Sequence, residues 1–224
     1  MMYGYMVKLN VLCGNRGKRN KMTSIDLGEG PHAYIKALRM LYDKNPNGQA
    51  YYDFILGNAV EKKKQSFTKE EQDSLDHIFS SRYPAKECYR NAQSLAICND
   101  ELDYVEGWVD SGLPIQIEHA WNEYKGKIID VTLILRTEKE LKKILPQELK
   151  HNAKTLEEQD RETKRIENAT YYGIKIPKKY LIKTVFDKKV HSPFLGEFFF
   201  ACIRPTQQGL KTRKECGDLT GYKL

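Results

Sequence analysis

The chain has no apolar run approaching the ~18 residues of a membrane-spanning helix, and its mean hydropathy is −0.65. A membrane partner is therefore not expected. It lacks Cys-x-x-Cys and His-x-x-x-His spacing, the common signatures of zinc sites. Neither a metal nor a cofactor is expected. Gly14-Asn15-Arg16-Gly17-Lys18 lacks the four-residue gap of a phosphate-binding loop and reads as a basic turn. There is no internal repeat and no low-complexity tract. The cysteines are few, at 13, 88, 98, 202 and 216. This odd set is read as reduced thiols. The opening residues MMYGYMVKLNVLCGNRGKR have no basic segment before their apolar run and no small-residue cleavage site, so they do not read as a signal peptide. A cytoplasmic location follows as an expectation.

What is present suffices for a packed core. At 224 residues a chain buries roughly 70% of its unfolded surface on folding, without needing disulfides. The 14 tyrosines lift the aromatic content to 11%, against wholesale disorder. Net charge is +7, which favours contact with polyanions. The basic residues cluster at Arg16, Lys18, Arg19 and Lys21, at Lys62 to Lys64, and at Lys211, Arg213 and Lys214. No recognition helix or RNA-binding motif accompanies them. They read as solvated loops, and nucleic acid is a possible but not a favoured partner.

Residues 1–65 read as an N-terminal extension packed on a core of 66–206, with a polar, frayed tail at 207–224. Pattern predicts a strand at 7–13, a helix at 31–43 opened by Pro31, and a turn at 45–48. Thr68 and Glu71 form a capping box for a helix within 66–82, whose buried stripe is Leu75, Ile78 and Phe79. A helix at 86–97 then precedes strands at 102–110, 115–124 and 128–135. Residues 137–168 mix both charge signs with few apolar residues and read as a helical insertion. Runs near 171–176, 179–186 and 194–203 read as further strands. The fold class is α+β, one helix leading into three antiparallel strands.

Three residues on these elements suggest chemistry. Cys88 opens a predicted helix, where unpaired N–H groups and the helix dipole favour a thiolate. His119 lies mid-strand and can take the thiol proton. Asp130 lies on the next strand of the same hairpin and can orient the imidazole. If Glu123 pairs with Ile128, His119 and Asp130 share a face; a one-residue slip separates them. Alone, each residue has an ordinary structural reading. Their order and placement together point to a triad. Glu106, Glu118 and Glu123 could form the paired carboxylates of a glycosidase, but a chain with 30 acidic residues offers many such pairs.

The segments KECYRNAQSLA, YVEGW and EHAWNEYKGKIIDVT resemble the core of the transglutaminase-like superfamily of papain-type cysteine enzymes, in the style of small bacterial or phage-encoded members. The likeness spans residues 80–135. It implies a papain/transglutaminase-like fold, a nucleophile-bearing helix packed on an antiparallel sheet. It also implies a Cys88–His119–Asp130 site acting on amide or ester bonds of a protein or peptide substrate. Lys86-Glu87-Cys88 replaces the frequent Gly-x-Cys, and Asp130-Val131-Thr132 replaces Asp-Pro-Thr. The oxyanion hole would use the Cys88 N–H and an upstream donor, Tyr83 or Gln72. Asn91 either lines the site or sits on the wet side of its helix. Tyr89, Trp108, Trp121 and Tyr124 are expected cleft walls, although strand aromatics are usually core. The charged 137–168 segment suggests an open, wet cleft, so water is the expected acyl acceptor. The competing reading is a transglutaminase-like scaffold that binds protein or nucleic acid without turnover.

Overall fold

The computed structural model describes residues 8–12, 22–26, 29–81, 83–84, 86–111, 116–133, 167–204, 219 and 221–223. Residues 137–166 of the predicted 137–168 insertion and most of the tail lie outside these residues, as do the basic clusters at 16–21 and 211–214 and the thiols Cys13 and Cys216. Cys88, Cys98 and Cys202 form no disulfide. Among the described residues no helix is long and apolar enough to cross a membrane.

Strands β1 (Lys8–Leu12) and β2 (Met22–Asp26) form a separate antiparallel pair. Helix α1 (Gly30–Leu41) starts with Pro31 in its first turn, where the missing N–H costs nothing. The Asn45–Gly48 cluster is a helix start, not a free turn. The Asn45 side chain accepts the N–H groups of Asn47 and Gly48 at 3.1 Å, and Pro46 opens α2 (Pro46–Asn58). Helix α3 (Lys69–Phe79) carries both halves of the predicted capping box. Its Leu75 and Ile78 are buried, but Phe79, predicted to complete the buried stripe, is 38% exposed.

The chain is α+β, built on a five-stranded antiparallel sheet of order β3-β7-β4-β5-β6. Its strands are β3 (Val60–Lys63), β4 (Leu102–Asp110), β5 (Ile117–Tyr124), β6 (Lys127–Ile129) and β7 (Thr170–Ile176). Helix α4 (Cys88–Cys98) immediately precedes β4. Glu123 pairs with Ile128 as expected. The connecting turn is two residues, with Lys125 and Gly126 both at positive φ, the signature of a tight hairpin turn.

Several predicted strands are corrected. The 128–135 strand stops at Ile129, where the chain bends through 131–133. Residues 179–186 lie in helix α5 (Lys178–Lys188), and 194–203 fold as α6 (Leu195–Phe198) followed by a π-helix (Phe199–Ile203). Residues Lys62 and Lys64 are not in a solvated loop. Lys62 sits on β3 and bonds Glu123 at 2.7 Å, and Lys64 follows it, partly buried. The described part of the tail is not frayed, since Leu219 and Tyr222 pack on the core.

Strand alternation gives the sheet two faces. Tyr104, Trp108, Ala120, Tyr172 and Ile174 meet the helices, where Ile35, Ile55, Ala92, Leu181 and Phe198 complete the main core. Val105, Val109, Trp121 and Tyr171 form a second cluster on the opposite face. Helix α4 therefore lies across the helical face, with its N-terminus directed at β5.

Candidate active site

Strand β6 pairs with β5 only from Asn122 to Tyr124, so the start of β5 has a free edge. The N-terminus of α4 meets that edge. Cys88 is the first residue of the helix, and Glu87 supplies no side-chain cap. The His119 ring and the backbone N–H groups of Tyr89 and Ala120 lie near enough to the thiol to favour its charged form. Burial alone would raise the Cys88 pKa, but the His119 ring and these N–H groups outweigh it, and the net shift is downward.

His119 is buried, and its Nε2 lies 2.8 Å from Asp130 Oδ2. That contact leaves Nδ1 as the ring nitrogen for Cys88. Burial works to lower the His119 pKa. The Asp130 charge and hydrogen bond, with the Cys88 thiol, overcome this and push it up to about 9. The Trp121 indole stacks beside the imidazole at 6.5 Å with an 18° interplanar angle.

Asp130 lies just beyond β6, and this break gives it four donors. Oδ1 accepts the N–H groups of Thr132 and Leu133, each at 3.0 Å. Oδ2 accepts from His119 and from the Tyr171 hydroxyl at 2.9 Å. Burial would raise its pKa, but His119, Lys64 and the Leu133 N–H hold it below the ordinary carboxylate value.

Cys88, His119 and Asp130 are thus brought together, with His119 hydrogen-bonded to Asp130 at 2.8 Å and Cys88 close to the imidazole. The other expected site residues divide. Tyr89 is half-buried beside the thiol, and Trp121 flanks His119. Trp108 is buried in the main core on the opposite sheet face, and Tyr124 packs with Leu75 and Ile129. Asn91 is neither cleft lining nor on the wet side of its helix. It is buried and donates to Pro84 O at 2.9 Å and Thr132 Oγ1 at 3.0 Å, tying the Asp130 bend to the start of α4. Gln72 donates to Phe67 O and Tyr83 packs beside Leu75, so the structure gives neither a part at the thiol. The N–H groups directed there are those of Tyr89 and Ala120.

Sequence reading missed Tyr171 and Lys64 at Asp130. No local pattern joins Tyr171 to a carboxylate 41 residues away. Only the order β7-β4-β5-β6 brings them together. Lys86 has φ of +66°. A lysine therefore holds a left-handed turn two residues before Cys88. Among the described residues no cluster of His, Cys, Asp and Glu is arranged to hold a metal ion. No protein-family model, curated protein or solved structure matches the chain.

Proposed function

We propose that this chain is a cysteine-dependent acyl-transfer enzyme of transglutaminase-like type that cleaves or deamidates amide bonds in a protein or peptide. The observation that carries the reading is the continuous line from Cys88 through His119 to Asp130. The thiol lies at an uncapped helix start, and a helix leading into antiparallel strands supports the papain/transglutaminase-like reading of the fold.

With Cys88 lowered and His119 raised to about 9, the pair is biased toward thiolate and imidazolium. The thiolate attacks the carbonyl carbon, and the carbonyl π electrons move onto oxygen. The Cys88 N–H at the helix start is directed to receive that charge. Collapse of the adduct breaks the C–N bond, and His119 Nδ1 gives its proton to the departing nitrogen. A thioester remains. Water then attacks it while His119 takes the water proton, and C–S cleavage releases the acid and the thiolate. Asp130 holds the ring so that Nδ1 faces the thiol throughout, fixed in turn by Tyr171 and the two backbone N–H groups.

The test is alkylation by iodoacetamide across pH, with the modified residue identified by mass spectrometry. Cys88 should react with an apparent pKa well below the ~8.5 of a free thiol. His119→Ala should return it toward that value, and Cys88→Ala should remove the fast phase. A Cys88 that titrates as an ordinary thiol in the wild type would overturn the reading and favour a binding scaffold.

A further inference from the structure

Strand β6 ends at Ile129, and the bend that carries Asp130 lies outside the strand pairing. The approach to Cys88 is also irregular, with Lys86 at positive φ and no side-chain cap from Glu87. Neither sheet register nor helix geometry therefore sets these two segments against each other. One buried side chain grips both. Asn91, 3% exposed, lies one turn into α4. Its backbone N–H donates to Glu87 O and its side-chain Nδ2 to Pro84 O, each at 2.9 Å, holding the chain before Cys88 at two points. Nδ2 also donates to Thr132 Oγ1 at 3.0 Å. The Thr132 N–H in turn donates to Asp130 Oδ1 at 3.0 Å, and Asp130 Oδ2 meets His119 Nε2 at 2.8 Å.

A hydrogen-bonded path thus runs from the helix that carries the thiol, through Asn91 and Thr132, to the carboxylate and its imidazole. Attachment of α4 to the sheet does not depend on it. Ala92 and Ala96 are buried in the main core, and Asn122 on β5 donates to Ala92 O at 2.9 Å. What the Asn91 amide adds is a fixed relation between the start of α4 and the Asp130 bend. Its acceptors, a carbonyl and a hydroxyl, are neutral, so the link sets position without placing a further charge beside the thiol. A donor buried to this degree is costly to leave unpaired, which biases both segments toward the geometry that serves it.

We infer that Asn91, acting through Thr132, is a positioning residue of the Cys88–His119–Asp130 site, locking the start of α4 to the Asp130 bend so that the imidazole is presented to the thiol. This rests on the cysteine-enzyme reading above, but its test separates the two. Thr132 is half-buried. Thr132→Val removes the Oγ1 acceptor at nearly constant shape, and Thr132→Ser keeps it. In the full chain, alkylation of Cys88 by iodoacetamide is followed across pH by mass spectrometry, and the His119 ring is titrated by NMR. Thr132→Val should raise the apparent Cys88 pKa by about 1 unit, slowing alkylation about 10-fold on the acid side. It should also lower the His119 pKa from about 9. Thr132→Ser should keep both close to wild type. Asn91→Leu should move both in the same direction as Thr132→Val, and adding Thr132→Val to it should move them no further, because the link is already broken. A merely structural role would lower the urea midpoints and leave both titrations in place. That outcome overturns the inference, as does a Thr132→Ser variant that behaves like Thr132→Val. Should Asn91→Leu fail to fold, the two threonine variants decide alone. An ordinary thiol profile for Cys88 in the wild type would sink the cysteine-enzyme reading separately. The His119 titrations of the threonine variants would still decide whether the link positions the His119–Asp130 pair.

Discussion

Lys86 holds a left-handed backbone conformation two residues before Cys88, where a side chain costs about 1–2 kcal/mol relative to glycine. Glycine loses more backbone entropy on folding, by roughly 0.5–1 kcal/mol, which offsets part of that cost. Lys86→Gly should therefore stabilise the chain by up to about 1 kcal/mol in urea unfolding and leave the Cys88 alkylation profile in place. A destabilised variant would mean that the lysine side chain makes a compensating contact. At this scale the three positions Cys88, His119 and Asp130, which the fold brings together, were legible because each belongs to a local motif. Asn91, Trp108 and Tyr171 were not. Strand parity decides Trp108: its neighbour Gly107 is the register partner of His119, so the indole points to the opposite face. Tertiary pairing alone decides Asn91 and Tyr171.

Two glycines set how closely the elements of the sheet approach. Gly107 on β4 pairs with Gly173 on β7. A Cβ on Gly107 would lie 2.1 Å from Tyr172 O and 2.5 Å from Gly173 Cα, so backbone would have to move. One on Gly173 would lie 2.4 Å from the Trp121 ring, displacing the indole that stacks on His119. Each Gly→Ala change should cost about 1–3 kcal/mol in chemical unfolding, and Gly173→Ala should also shift tryptophan fluorescence. A loss below about 0.5 kcal/mol would show that β4 and β7 separate readily. Several elements were readable in advance: the capping box fixed α3, and pattern fixed β4 and β5. Their failures have a physical cause. Lys178–Lys188 and 194–203 are rich in aromatic and β-branched residues, which favour strands locally. Packing chose helix there, seen in the burial of Phe194, Leu195, Phe198, Phe199, Cys202 and Ile203, pairs of neighbours recurring every four residues. At α2, Asn45 and Pro46 were read as a turn because capping residues and turn residues are the same types.

Across the whole molecule, one buried network joins sheet, helix and the turn before α6. Tyr104 donates to Glu106 at 2.5 Å, and Gln93 on α4 donates to Tyr104 at 3.0 Å and to Ser192 O at 2.7 Å. Glu106 also accepts the N–H groups of Phe194 and Leu195. Burial pushes its carboxyl up to about 7 although these donors hold it down. A folded pKa above the ordinary 4.5 contributes stability that is complete below that value and lost as pH rises through about 7. His119 has the same sign, its contribution complete below 6.5 and lost as pH rises through about 9. Asp130 has the opposite sign, its contribution present above the ordinary 3.8 and lost as pH falls through its lowered value. Unfolding free energy should therefore peak on the acid side of neutrality. Between pH 5 and 7 it should fall, by at most about 1.4 kcal/mol per pH unit for one group. Glu106→Gln keeps an acceptor for the two N–H groups and removes the ionisation. Its urea midpoint should be nearly flat from pH 5 to 6.5 and fall only above that, as His119 loses its proton. Parallel midpoint curves for wild type and Glu106→Gln would mean that Glu106 ionises in the folded chain as it does unfolded.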